Sequence, residues 1–209
     1  MRRKEFIGGV ALGAGAAMLT AKAAAAQSDI SLQTSTGTLN GTLQLPSNTP
    51  SPVVLIIAGS GPTDRNGNSG LGLRSNCYAQ LAAALARRGV ASVRYDKRGI
   101  GASSAAASSE KDLRFETYIE DARAWLTLVH GDSRFSKIVV AGHSEGSLIG
   151  MVAALHGPAG AFVSLEGAGR PAATILREQL KRNLSPEQYQ QSDAIISKLE
   201  QGVVVPDSP

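Results

Sequence analysis

The segment of this chain best suited to covalent chemistry is a serine set between two glycines, Gly142-His143-Ser144-Glu145-Gly146. A serine hydroxyl becomes an effective nucleophile when three things are supplied. Its Oγ must stand clear of its surroundings, a base must take its proton, and donors must hold the oxyanion formed by attack on an acyl carbon. The G-x-S-x-G spacing meets the first need. The turn carrying such a Ser is sharp and strained, and side chains at 142 and 146 would strike neighbouring segments. The same spacing bears on the third need, because a helix starting at Glu145 leaves that residue's N–H free at a positive helix end. A second donor is expected from Gly59-Ser60-Gly61-Pro62, where glycines let the backbone approach a substrate closely. The candidate is the N–H of Ser60, with Gly61 close behind. For both segments the bland alternative is a plain glycine turn between strand and helix.

The base is harder to find. Of the three histidines, His143 lies inside the turn, where the backbone geometry should aim its imidazole away from the Ser144 Oγ. His130 and His156 close helices and read as favourable C-terminal cations. Glu166 follows a short apolar strand and is a minor candidate for the acid, but an acid without a base completes nothing. Asp193 and Asp207 fall in amphipathic or terminal sequence and are expected to face solvent. The stretch Asp64-Arg65-Asn66-Gly67-Asn68-Ser69-Gly70 resembles a calcium loop in its alternating oxygens. It departs from one at Ser69, where the turn needs glycine, and at Ser75, where a bidentate Glu belongs. No metal is therefore expected there, and acyl transfer on a serine needs no organic cofactor. Cys77 is the single cysteine, which excludes an internal disulfide and a thiolate metal site, and it reads as a helix-packing residue.

Alternating buried strands and helices must position these groups. Residues 29–45 read as an antiparallel hairpin around Thr36-Gly37 and Asn40-Gly41. The continuous apolar run 53–58 reads as a central strand covered on both faces. A helix over 78–88 stops at Gly89, with cations in its last turn. Further strands are expected at 90–95, 138–141 and 161–165, and further helices over 115–130 and from the Ser144 turn to His156. The charge-free run 102–109 reads as a flexible linker. This order implies right-handed βαβ crossovers and an α/β fold with a mostly parallel, doubly wound sheet. From Ala172 to Gln201 the chain turns polar and helical, with a break around Asn183-Leu184-Ser185-Pro186, as a helical cap over a sheet would.

Residues 1–26 are set apart as an export signal. Arg2, Arg3 and Lys4 precede a Gly/Ala-rich apolar stretch too short for a membrane span, and Ala24 and Ala26 fit a cleavage site before Gln27. The twin arginines leave the Sec and Tat routes both open, and an uncleaved anchor is the alternative. The leader holds three of the four formal positive charges, so residues 27–209 are close to neutral at +1. With acids interleaved among the remaining cations, no basic stripe for nucleic acid exists.

Three separated motifs occur in a familiar order: Gly59-Ser60-Gly61-Pro62-Thr63-Asp64-Arg65-Asn66-Gly67-Asn68, Tyr95-Asp96-Lys97-Arg98-Gly99-Ile100-Gly101-Ala102-Ser103, and the Ser144 pentapeptide. In these the chain resembles the bacterial serine-aminopeptidase-like group of α/β-hydrolases, from about Asp29 to Gly169. The resemblance implies Ser144 as nucleophile, the Ser60 and Glu145 amides as oxyanion hole, Asp96 to Gly101 as a structural turn beneath the site, and a helical cap beginning at Ala172. It implies a small-molecule ester or amide substrate cleaved through an acyl-enzyme. In that group an acid and a His follow later strands. Residues after Leu165 hold no His, so the expectation is a truncated chain: an export signal at 1–26, an incomplete core at 27–170 and a partial cap at 171–209. Two alternatives stand beside the hydrolase: a non-catalytic binding domain, and an inactive gene product destabilised by an exposed sheet edge.

Overall fold

The computed structural model describes residues 26–107, 109 and 113–206. The stretch read from sequence as an export leader, save Ala26, and Asp207 lie outside them. One six-stranded sheet organises the chain in the order β1-β2-β4-β3-β5-β6. Strands β1 (Gln27–Thr34) and β2 (Gly37–Gln44) form the expected hairpin. Asn40-Gly41 is not part of its turn but lies within β2, where Gly41 pairs with Ile30 and Tyr95. A Cβ at that position would sit 3.0 Å from the Arg94 carbonyl and 3.2 Å from the Trp125 ring. The glycine is there for close approach rather than for turning.

Strands β3 (Ser51–Ile57), β4 (Ala91–Tyr95), β5 (Phe135–His143) and β6 (Ala161–Leu165) run parallel. The α/β class with a mostly parallel sheet is therefore as the sequence implied. β3 is apolar on both faces because both are covered. Val53, Leu55 and Ile57 join Leu39, Val93, Trp125, Leu126, Val140 and Ile149 in the larger core. Val54 and Ile56 face the other way, onto Tyr78 and Ala82. Helix α1 (Cys77–Arg87) covers this second face, and α2 (Phe115–His130) and α3 (Glu145–Leu155) cover the first. Trp125 is fully buried and stacks on Tyr95 at 5.3 Å. Burial, and secondarily the charge of Asp121, holds the Tyr95 hydroxyl neutral by raising its pKa.

Two expectations are corrected here. Cys77 is exposed. Helix α1 buries Tyr78, Ala82 and Ala86, a stripe spaced by four, and Cys77 lies one residue off it. Nor are residues 102–106 of the Ser/Ala run a flexible linker, since residues 101–106 form a 3-10 turn with Ser103 and Ala106 buried. Ser103 Oγ accepts from Asn40 N–H at 2.8 Å, and Thr36 Oγ1 donates to the Ala106 carbonyl at 3.0 Å. Small side chains serve close packing here: a Cβ at Gly37 would lie 2.9 Å from Ala106 Cα.

After β6 come α4 (Ala172–Asn183) and α5 (Pro186–Glu200). The break between them has a local cause, a capping box in which Ser185 and Gln188 satisfy each other's backbone N–H, with Pro186 at the first helical position. Arg177 ties the pair together, reaching Asp193 at 2.6 Å and Glu200 at 2.9 Å. Asp193 is thus paired as well as partly solvent-facing. Among the described residues no helix is long and apolar enough to cross a membrane.

Candidate active site

Ser144 sits where β5 gives way to α3, with φ 52° and ψ −120°. A non-glycine residue there is strained by roughly 1–3 kcal/mol and persists because its surroundings impose the conformation. They do so at three points. Ser144 N–H donates to the Leu165 carbonyl at the end of β6, at 2.9 Å. The Ser144 carbonyl accepts from Ser147 N–H at 3.0 Å, and Ser147 Oγ donates to the Gly142 carbonyl. The flanking glycines are required sterically: a Cβ at Gly146 would lie 2.5 Å from the Ile57 and Ala58 carbonyls, and one at Gly142 would lie 2.6 Å from Ser147 Cα.

The loop after β3 passes directly beside this turn. A Cβ at Gly59 would come within 3.1 Å of Ser144 Cβ and 3.0 Å of His143 Nδ1. Ser60 follows, exposed, and Gly61 adopts φ 74° with open space around it. Among the described residues, no acceptor lies on the N–H of Ser60 or of Glu145. For Glu145 that is the ordinary state of a first-turn amide. The structure therefore brings Ser144, Ser60 and Glu145 into one locality, with two backbone donors available.

Side chains from α1, α2 and the turn after β4 hold this locality together. Tyr78 Oη accepts from Gly59 N–H at 3.3 Å and shares a 2.8 Å hydrogen bond with His143 Nδ1. Burial raises the Tyr78 hydroxyl pKa, partly offset by the Gly59 hydrogen bond, so the group stays protonated. Lys97, with its side chain 5% exposed, donates from Nζ to the Gly59 carbonyl at 2.7 Å and to Glu145 Oε2 at 3.0 Å. Beneath it, Arg98 makes a buried bidentate pair with Asp121 at 2.6 and 2.7 Å and also reaches Thr36 and the Ala106 carbonyl. Asp96 holds the turn by accepting from Arg65 N–H at 2.7 Å and Ala102 N–H at 2.9 Å. The segment 96–101 is thus the structural turn the motif implied, and Lys97 in addition reaches the site. Its partners are distant in sequence, so the motif marked its place in the turn but not its reach to Gly59 and Glu145.

The histidines lie where the chain order put them. His143 is committed edge-on to Tyr78, ring centroids 5.7 Å apart. His130 ends α2 and lines a cavity of about 550 Å³ with Phe135, Lys137 and Ala161, at the entry ends of β5 and β6. His156 caps the far end of the 11-residue α3, roughly 16 Å of helix from Ser144. Glu166, exposed and at φ 53°, directly follows the carbonyl that holds Ser144 N–H. In the calcium-like loop, Asp64 Oδ1 accepts from Asn66 and Asn68 N–H, both at 2.8 Å, and Ser75 Oγ donates to the Gly67 carbonyl. Asp64 thus serves the loop's own amides and Ser75 its carbonyl. A cavity of about 580 Å³ opens beside the site, lined by Gly61, Lys97, Ile100, Leu113, Tyr118 and Glu145.

This sheet order with a strained serine after the strand beside β3 defines an α/β-hydrolase fold, and solved structures agree. The α/β hydrolase GrgF from Penicillium sp. sh18 superposes with a TM-score of 0.57 at 20% identity, covering 75% of this chain and 53% of that one. XC6422 from Xanthomonas campestris, described as an a/b serine hydrolase without lid, gives 0.54 at 23% identity, covering 69% and 63%. Esterase EstD of Thermotoga maritima is 26% identical over 166 residues, which is 78% of this chain and 37% of that protein. The chain thus spans little more than a third of the length of that curated relative. The family model described as "Serine aminopeptidase, S33" matches residues 67–183, and the chain belongs to that family.

Proposed function

We propose that this protein hydrolyses small-molecule carboxylic esters or amides through an acyl-enzyme on Ser144. The observation that carries the reading is a strained Ser144 with two unpaired amides, Ser60 and Glu145, beside it. In the reaction, Ser144 Oγ bonds to the acyl carbon as its proton passes to a base, and the two amides receive the oxyanion. Collapse breaks the bond to the alcohol or amine, which leaves with that proton, and water then releases the acid by the same route. Esterase EstD favours esters among the possible substrates by its name. The base is none of His130, His143 or His156, so on this reading the triad is incomplete within these residues.

That incompleteness shapes the test. Triad members act as a unit, so Ser144→Ala alone changes little where the base is already missing. Imidazole added to the buffer can take the base's part, a role worth roughly 10²–10⁴-fold when filled by a positioned group. The expected result is p-nitrophenyl acetate hydrolysis that rises with imidazole above the protein-free background, with the increment lost in Ser144→Ala. Equal increments in both proteins would sink the reading.

A further inference from the structure

We infer that Lys97 is a positioning residue for the oxyanion site: its ammonium fixes the plane of the Gly59–Ser60 peptide and so aims the Ser60 N–H. The inference rests on the proposed hydrolase reading for its catalytic consequence, but its structural core is independent.

A trans peptide is planar, with C=O and N–H pointing in opposite directions. Whatever anchors the Gly59 carbonyl therefore sets the direction of the Ser60 N–H on the other side of the same unit. Lys97 Nζ provides that anchor at 2.7 Å, within the range of a charge-assisted hydrogen bond. Past this peptide the segment is held by Thr63, whose hydroxyl and N–H donate to the Ser60 and Gly61 carbonyls at 3.3 and 2.8 Å, and neither bond fixes the Gly59–Ser60 plane. Residue 59 is glycine, Gly61 has a positive φ with open space around it, and Ser60 is exposed. On its other side, Gly59 N–H is held by Tyr78.

The arrangement also links both neighbours of the nucleophile. His143 reaches Gly59 through Tyr78, and Glu145 reaches it through Lys97. The loop bearing one amide donor is therefore tied to the turn bearing the other, on either side of Ser144. The ammonium, on a side chain 5% exposed, is balanced by Glu145 and faces the Tyr118 ring at 5.2 Å, which keeps a buried charge tolerable in this place. An ammonium on the carbonyl also polarises the amide, which makes its N–H a better donor.

Lys97→Met keeps the aliphatic stem and removes the anchor. The probe is phenylboronic acid, whose boron takes Ser144 Oγ while the hydroxyl proton passes to buffer, leaving a tetrahedral boronate with an oxygen at the oxyanion position. The expected result is about a 10–100-fold loss of boronate affinity, less than the roughly 10²–10³-fold that outright removal of an oxyanion donor costs, because the misaimed N–H is still present. An equal fall in the imidazole-supported kcat is expected with KM unchanged, and a crystal structure of the variant should show the 59–60 peptide turned. An unturned peptide with boronate affinity intact would overturn the inference. So would a change in KM alone, which is what mere packing damage near the cavity would give. If wild type shows neither boronate binding nor Ser144-dependent turnover, the hydrolase reading fails, and the peptide orientation still decides the role of Lys97. Should the Met variant not fold, Lys97→Gln takes its place: a smaller loss, about 3–10-fold, supports the inference, and no loss overturns it.

Discussion

Gly142→Ala is expected to unfold the turn that carries Ser144 or prevent its formation. The added methyl would collide with the carbonyl of Gly146 and stand 2.5 Å from its carbon and 2.6 Å from Ser147 Cα, all backbone that cannot swing aside. Relief would require β5 to part from α3, and with it the Ser147 to Gly142 and Ser144 to Leu165 hydrogen bonds. Overpacking usually costs about 1–3 kcal/mol where side chains can yield. With backbone on both sides the expected loss is about 3–5 kcal/mol, a fall in Tm of roughly 10–15 °C for a domain of this size. Thermal unfolding followed by circular dichroism measures it. A shift of only a degree or two would mean that the turn is looser than its geometry implies.

The second large effect concerns the buried pair beneath the site. Arg98→Met removes the bidentate partner of Asp121 and leaves a carboxylate 3% exposed with nothing to balance it. Breaking one side of such a pair costs about 3–5 kcal/mol, whereas replacing both by apolar groups is often neutral. The double variant Arg98→Met with Asp121→Leu should therefore be more stable than Arg98→Met alone. Denaturant titration of the two single variants and the double closes the cycle, and additive losses would contradict the account. The direction of the Asp121 titration supports the asymmetry. Burial raises its pKa more than the Arg98 hydrogen bonds lower it. The folded chain then holds that proton more tightly than the unfolded chain, so the pair's contribution to stability declines as pH rises from the ordinary aspartate range through the raised one. That slope should vanish in the double variant.

What the sequence revealed, and what it hid, divides along local and long-range lines. Strands and helices were legible because hydrophobic pattern is local: α2 and β6 fall at the residues their periodicity predicts. The Ser144 turn was legible for the same reason, since its glycines, strand and helix are contiguous. The Ser/Ala run was misread because its composition is that of a linker, while its burial depends on the hairpin at Thr36 and Asn40, far away in sequence. Asn40-Gly41 was misread as turn chemistry because nothing local reveals Trp125 against it. The roles of Lys97, Tyr78 and Asp121 escaped for the corresponding reason, each set by a partner some 19 to 65 residues away.

The central claim, that Ser144 is the nucleophile, is tested most directly by mass spectrometry of the purified chain after exposure to a fluorophosphonate in imidazole buffer. The account predicts a single phosphonyl adduct with loss of fluoride, mapped to the peptide containing Ser144 and absent from Ser144→Ala. A folded chain that takes no adduct at Ser144, or takes it at another residue, would contradict it.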